Sequence, residues 1–165
     1  MENFLCKTNP SQDDDRDWNA ANIYKKTILT PVLDLRNTLE PIRNQGSQGT
    51  CAAQTAACMK EWQESKDYNF KGYMSPQFIY NNRENQNTEG MYGRDVMRIL
   101  SKIGSVEETT YEYGKIETVE DIDETYYNKA KVHKIKNYAR IYDIENLKKA
   151  LNRNGPCYIA FPVYN

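Results

Sequence analysis

The chain has 165 residues, 39% of them hydrophobic and 27% charged, and its formal net charge is −1. This length fits one globular domain that buries roughly two-thirds of its unfolded surface. The balanced charge, with lysines and arginines scattered among acids, argues against nucleic acid or an anionic membrane as a partner. No stretch approaches the ~20 apolar residues of a membrane span.

Residues 1–32 are polar, and the acidic run 13–15 leads into Arg16, Asp17 and Trp18. Two interpretations remain open for this leader. Acidic, apolar-poor N-termini are often disordered tails. The other interpretation is a short pro-segment that lies across a cleft, with Trp18 as its anchor. In either case we expect a leader at 1–32 and a folded domain at 33–165.

The remaining chain predicts helices first and strands later. A helix is expected to begin at Cys51, because apolar residues recur there at helical spacing. Ser75 and Pro76 predict the N-cap and first position of a second helix. The further predicted elements are a strand at 31–36, a helix near 95–103 stopped by Gly104, a strand at 131–138, a helix from Asp143 to Leu151, and a strand at 157–163. This order predicts an α+β protein with two segregated halves.

Residues 44–51 (NQGSQGTC) place a cysteine at a helix start after a glycine loop. Cysteine is nucleophilic as a thiolate. A helix N-terminus favours the anion by only about 0.3–1 kcal/mol, less than one pKa unit, so an imidazolium partner is also needed. The glycine loop lets the Cys51 backbone N–H and the Gln45 side-chain amide point at a developing oxyanion. Taken alone, a cysteine such as Cys51 is more typical of a small buried residue at the start of a core helix, and it is the surrounding loop that favours the nucleophile.

The segments 41–46 (PIRNQG) and 49–51 (GTC) resemble the active-site signature of papain-like cysteine peptidases. Further segments follow in the family's order, so the resemblance spans about residues 31–163. They are 32–36 (VLDLR), 75–80 (SPQFIY), 104–108 (GSVEE), 111–113 (YEY) and 155–156 (GP). The resemblance implies Cys51 as nucleophile and Gln45 as the oxyanion glutamine.

Two departures place the chain nearer the short-leader bacterial and viral branch of that family. Gln48 stands where plant and lysosomal members carry a cysteine, and Ala52 stands where they carry a tryptophan. The resemblance also implies a substrate-binding role for Gly49, for Gly90, which would pair with the peptide backbone, and for Met91. Met91 would line the pocket for the second residue before the cut. Glycine 90 fits plain turn chemistry equally well.

The family's catalytic histidine and asparagine lie roughly 130–150 residues after the cysteine. Only 114 residues follow Cys51 in this sequence. Its single histidine, His133, follows Cys51 by 82 residues within a predicted strand, and we do not expect it to be the base. The resemblance therefore implies a papain-like helical left half with a central nucleophile helix and an incomplete β-barrel right half. The histidine and asparagine would come from a C-terminal segment or a second chain.

We therefore expect a cysteine peptidase that acts on proteins or peptides through a Cys51 acyl-enzyme, without metal or organic cofactor. The alternative is an inactive peptide-binding or structural protein of the same fold. Residues 1–7 lack the apolar run of a signal peptide, and the four cysteines show no zinc-type pair. We expect a cytoplasmic or other intracellular location, packaging in a virion included.

Overall fold

The computed structural model describes residues 7–161. Its elements are two short strands and six α-helices, with 3₁₀ turns between them. In chain order they are β1 (Thr8–Asn9), α1 (Ala20–Ile23), α2 (Cys51–Tyr68), α3 (Pro76–Asn81), β2 (Met91–Tyr92), α4 (Gly93–Lys102), α5 (Glu124–Ala130) and α6 (Ile144–Asn154), with 3₁₀ turns at Arg36–Thr38, Val119–Asp121 and Lys131–His133. No helix within residues 7–161 has the length and apolar character needed to cross a bilayer.

The helix α2 forms the centre of the core, against α3 and α4. One face of α2 carries four buried alanines, whose small side chains let the neighbouring helices approach closely. These are Ala52, Ala53, Ala56 and Ala57, which form one cluster with Ile79 of α3 and with Val96, Ile99 and Leu100 of α4. We call α2, α3 and α4 with the loops between them, residues 51–104, the helical half.

Local signals start and stop the helices, as predicted. Ser75 caps α3 by accepting a hydrogen bond from the Phe78 N–H at 3.0 Å, and Pro76 takes the first helical position. Asp143 caps α6 through the Asn146 N–H at 2.8 Å. Gly155 ends α6 with a φ of +93°, and a Cβ there would lie 2.1 Å from the Trp62 ring. A side chain at 155 would therefore collide with α2.

A buried charge network fixes the chain just before the glycine loop. Arg43 donates to Glu61 of α2 at 2.7 Å, to the Met74 carbonyl at 3.1 Å and to Glu108. Glu61 also accepts the Met74 N–H at 2.9 Å. Burial raises the pKa of Glu61 to about 7, although Arg43 and the Met74 N–H oppose the shift. The network joins the loop, α2 and the start of α3 into one unit.

Three predicted strands are wrong wherever they fall within the described residues. Residues 31–35 form no regular element and Arg36–Thr38 is a 3₁₀ turn. The segment 131–138 begins with the 3₁₀ turn Lys131–His133 and continues without a strand. Residues 157–161 also form no strand, and 162–163 lie outside the described residues. Each segment is apolar enough for a strand, but none of them lies beside another strand in the described chain, and a strand requires a hydrogen-bonded partner.

Candidate active site

Cys51 is the first residue of α2 and is partly exposed. The preceding residue, Thr50, occupies the N-cap position without capping the helix through its side chain. Its hydroxyl is 2.7 Å from the Tyr113 hydroxyl instead. The N-terminal N–H groups of α2 are therefore directed at the cysteine end of the helix, where they favour negative charge.

Gln45 and Cys51 lie at the two ends of the glycine loop, as the sequence requires. The Gln45 Nε2 donates to the Gln48 carbonyl at 2.9 Å, across the loop. The Tyr113 hydroxyl donates to the Gln45 carbonyl at 2.7 Å, while its oxygen contacts Thr50. Tyr113 thus ties the glutamine end of the loop to the cysteine end. A loop held at both ends keeps Gln45 and Cys51 in a constant relative position, as the predicted pair of oxyanion donors would require.

The leader lies against Cys51. The Thr8 hydroxyl is 3.1 Å from the Cys51 Sγ, within hydrogen-bond distance. Thr8 and Asn9 form β1, which pairs in parallel with β2 in the register Thr8 to Met91 and Asn9 to Tyr92. A stretch of polypeptide therefore crosses the cysteine while its backbone is hydrogen-bonded to the strand beside it.

Gly90 lies directly against this peptide. It has a φ of +80°, and a Cβ at this position would lie 2.1 Å from the Lys7 carbonyl oxygen. A Cβ on Gly49 would lie 3.1 Å from the Gly90 nitrogen, so the glycine loop and the β2 edge also approach each other closely. Met91 is fully buried in the core cluster of the helical half. The roles of Gly49, Gly90 and Met91 toward a substrate remain predictions.

Charge pairs hold the leader further along. Asp17 forms salt bridges with both Arg94 of α4 and Arg140, and the Asp13 carboxylate lies 2.9 Å from the Arg140 guanidinium. The Arg140 N–H also donates to the Trp18 carbonyl at 2.7 Å. The anchor predicted from sequence is wrong, because the Trp18 side chain is 60% exposed. Asp17 supplies the contacts that the indole was expected to make.

His133 lies far from Cys51. Its Nδ1 is 3.1 Å from the Glu64 carboxylate of α2, and its ring lies against Phe70 at 6.4 Å between centroids. Glu64 follows Cys51 by 13 residues, which is roughly 20 Å along an α-helix. The histidine packs half-buried at the opposite end of α2, in a 3₁₀ turn and not in the predicted strand.

The model of the papain family of cysteine proteases matches residues 29–165. The chain therefore belongs to the papain family of cysteine proteases. Among curated proteins, none matches it at a significant level.

Solved structures share the fold. Xylellain, a cysteine protease from Xylella fastidiosa, matches with a TM-score of 0.73 and 24% identity over 91% of this chain and 63% of its own. Digestive procathepsin L 3 of Tenebrio molitor larval midgut matches with a TM-score of 0.66 and 17% identity, over 79% of this chain and 44% of its own. The proform of the ragweed pollen cysteine protease Amb a 11 matches with a TM-score of 0.55 and 22% identity, over 79% of this chain and 42% of its own.

The chain thus spans less than two-thirds of the length of these relatives. Its fold is the α+β papain-like fold. The helical half is the left half with the central nucleophile helix, and within the described residues the β-barrel right half is incomplete.

Sequence reasoning missed several residues of the site. Tyr113 belongs to the segment 111–113, which entered the prediction only because it follows the other family-like segments in the right order. Nothing in the sequence indicated that its hydroxyl would reach the glycine loop. Thr8 lies in a polar leader, and no motif around it indicates a contact with Cys51. Arg94 and Arg140 could have been suspected, because the acidic run at 13–17 requires cationic partners if it docks.

Proposed function

We propose that this chain is the nucleophile-bearing part of a cysteine peptidase that cleaves peptide bonds through a Cys51 acyl-enzyme. The observation that carries the proposal is the peptide segment of the leader across Cys51, with its Thr8 hydroxyl 3.1 Å from Sγ and its backbone paired with β2. A cleft that binds an extended backbone beside a thiol at a helix N-terminus has the parts that acyl transfer to cysteine needs.

The reaction would proceed in two steps. The Cys51 thiolate attacks the peptide carbonyl carbon, and the oxygen that gains the charge is held by the Cys51 N–H and the Gln45 amide. The tetrahedral intermediate expels the amine, which takes a proton from an imidazolium, and leaves a thioester on Cys51. Water, deprotonated by the imidazole, then attacks the thioester and releases the carboxylate product with the free thiol.

The imidazole and its orienting asparagine are proposed to come from a C-terminal segment or a second chain. His133 cannot serve, because it is tied to Glu64 at the far end of α2. The partner in either case must bring an imidazole nitrogen to within hydrogen-bond distance of Sγ.

We also propose that the leader is a pro-segment. In this arrangement Thr8 covers the nucleophile, and the pairs of Asp13 and Asp17 with Arg94 and Arg140 hold the leader in place. A leader paired with β2 in this way would have to be displaced before a substrate could enter the cleft.

The alternative function is a catalytically inactive protein of the same fold that binds peptides in this cleft. It shares the β2 edge and the glycine loop, and it needs no histidine. The two functions predict different reactivity of the Cys51 thiol toward a peptidyl electrophile.

The natural gene product should be incubated with a peptidyl epoxide, and its intact mass should be measured by mass spectrometry. A peptidase gains one adduct, Cys51→Ala gains none, and the matched variant Cys58→Ala still gains one. Burial raises the pKa of Cys58 and raises that of Cys157 to about 11, so both thiols stay protonated near neutral pH. A natural product that iodoacetamide alkylates at Cys51 but the epoxide leaves unmodified would favour the inactive peptide-binding protein.

A further inference from the structure

We propose that Tyr113 is a positioning residue for the peptidase reaction, and that its hydroxyl sets the distance between the two oxyanion donors by fixing Gln45 to the N-terminus of α2. This inference rests on the proposed function, in which the Gln45 amide and the Cys51 N–H hold the oxyanion. It follows from two hydrogen bonds, from the direction of their protons, and from the contacts that fix Tyr113 itself.

The glycine loop has little in its own backbone to hold the two donors at a constant distance. Residues 46–50 form no helix or strand. Two of them are glycines, Gly46 and Gly49, and glycine is the residue with the largest conformational freedom. Gly46 is also exposed and has a φ of +59°. An error of about 1 Å in the position of a catalytic group can cost about 100-fold in rate. A contact from outside the loop is therefore valuable at this position.

The Tyr113 hydroxyl supplies such a contact through two hydrogen bonds of defined direction. Its oxygen lies 2.7 Å from the Gln45 carbonyl oxygen and 2.7 Å from the Thr50 hydroxyl oxygen, both at the usual O–H···O distance. A carbonyl oxygen only accepts, so the single phenolic proton points at Gln45. Thr50 must then donate its own proton to the Tyr113 oxygen. Both protons are used, and neither hydroxyl can turn without losing a bond.

The same pair of bonds keeps the Thr50 hydroxyl away from the helix that it precedes. A threonine at an N-cap ordinarily accepts a hydrogen bond from an N–H of the first turn, but the Thr50 side chain makes no such bond within the described part of the chain. Thr50 is fully buried, and its hydroxyl is directed at Tyr113 instead. It therefore does not take up the first-turn N–H groups of α2, whose partial positive charge favours an anion at Cys51.

The segment that carries Tyr113 is itself fixed to the start of α3. Before it, the Tyr111 carbonyl accepts the Ser75 hydroxyl at 2.6 Å, and both residues are fully buried. After it, the Gly114 N–H donates to Gln77 Oε1 at 3.0 Å, and Gln77 is fully buried as well. Tyr113 thus connects the glycine loop to a helix whose position is set by the core.

The test separates the binding of a peptide from the stabilisation of an oxyanion. It uses the natural gene product and a peptide aldehyde that carries the peptide part of the epoxide named above. The Cys51 sulfur bonds to the aldehyde carbon, and the carbonyl oxygen takes the place of the oxyanion and ends with the thiol proton. The matching peptide alcohol binds without forming this bond. Protection of Cys51 against iodoacetamide, read by intact mass, gives both affinities, and iodoacetamide alone gives the reactivity of the thiol.

Tyr113→Phe removes the hydroxyl and keeps the ring. We expect the aldehyde to bind about tenfold more weakly, because one donor is then misplaced but still present. The alcohol affinity and the iodoacetamide rate should each change by less than about twofold, because neither depends on the oxyanion donors. Gln45→Ala removes a donor outright and should weaken the aldehyde about 100-fold.

Three further variants locate the effect. Thr50→Val keeps the shape of the side chain without its proton and should weaken the aldehyde less than Tyr113→Phe does, because Tyr113 still reaches Gln45. Thr50→Ser keeps the hydroxyl and should retain most of the affinity. The matched control is Tyr68→Phe, which removes a hydroxyl from a tyrosine that is 76% exposed at the other end of α2. It should leave all three measurements unchanged.

The outcomes separate this inference from the proposed function. A natural product that neither the epoxide nor the aldehyde modifies contradicts the proposed function and this inference with it. Labelling by the epoxide together with an aldehyde that binds no more tightly than the alcohol overturns the positioning role alone. The same holds if Tyr113→Phe keeps the full preference for the aldehyde. Equal losses of aldehyde affinity, alcohol affinity and iodoacetamide rate in Tyr113→Phe would show that Tyr113 only supports the fold, which also overturns the inference.

Discussion

The helical half and the C-terminal stretch, residues 131–161, behave differently although both are rich in apolar residues. In the helical half most apolar side chains of α2, α3 and α4 are buried in one cluster, and Phe78 of α3 is buried in a second cluster with Tyr111. In the C-terminal stretch several large apolar side chains are exposed instead, among them Val132, Ile144, Ile159 and Phe161.

The difference shows what each kind of element requires. A helix satisfies its own backbone, so capping residues and an apolar face suffice to form it and to dock it. A strand must find its partners elsewhere in the chain, and no neighbouring strand lies beside 131–138 or 157–161 in the described residues. Stability should therefore be concentrated in the helical half, and three predictions test this.

The largest expected effect comes from truncating equal side chains in the two regions. Phe78 of α3 is fully buried and packs edge-on against Tyr111 at 5.5 Å between centroids, whereas Phe161 is 71% exposed. Phe78→Ala should lower the free energy of unfolding by about 4 kcal/mol. Phe161→Ala should change it by less than about 0.5 kcal/mol. Urea denaturation followed by circular dichroism measures both.

The pair is its own control, because the two variants remove the same atoms. Similar losses for Phe78→Ala and Phe161→Ala would show that the C-terminal stretch is packed as tightly as the helical half, and the contrast drawn above would then be wrong.

The second prediction concerns the carboxylate buried in the helical half. Burial raises the pKa of Glu61 from 4.5 to about 7, so the folded chain holds this proton more tightly than the unfolded chain. The resulting stabilisation is fully present below pH 4.5 and is lost as the pH rises through 7. The shift corresponds to on the order of 3 kcal/mol.

Glu61→Gln keeps the acceptor for Arg43 and for the Met74 N–H but does not titrate. The difference in unfolding free energy between the natural chain and Glu61→Gln should therefore shift in favour of the variant between pH 4.5 and 7, measured at several pH values by denaturation. All other ionisable groups are common to both proteins and cancel. A difference that is constant over this range would mean that Glu61 is ionised in the fold throughout.

The same contrast explains which parts of the fold could be predicted from sequence. The start of α2 at Cys51, the Ser75 cap and the Asp143 cap rest on neighbouring residues, and each was predicted. The strand predicted at 131–138 was wrong, because Val132 and Ile135 are three residues apart and do not follow the two-residue period of a strand face. The local sequence also does not specify a partner strand that would cover these residues.

The candidate site divides in the same way. Gln45 and Cys51 belong to one contiguous loop, so the sequence placed them together. Thr8 and Tyr113 reach that loop from 43 and 63 residues away in sequence, and no local pattern specifies such contacts. Trp18 was chosen as anchor for its apolar surface. The structure uses Asp17 instead, because two arginines, Arg94 and Arg140, converge on that carboxylate.

The smallest expected effect compares the caps of α3 and α6. The Ser75 hydroxyl accepts the Phe78 N–H and donates to the Tyr111 carbonyl at 2.6 Å, in a buried position. Asp143 is exposed and caps α6 through the backbone and side-chain N–H groups of Asn146. Ser75→Ala should cost about 2 kcal/mol, since it removes a cap and leaves a buried carbonyl unpaired. Asp143→Ala should cost about 1 kcal/mol, because water can replace the lost contact. Urea denaturation of the two variants gives both values. A larger loss for Asp143→Ala would place the more important helix start in the C-terminal stretch, where burial gives no reason for it.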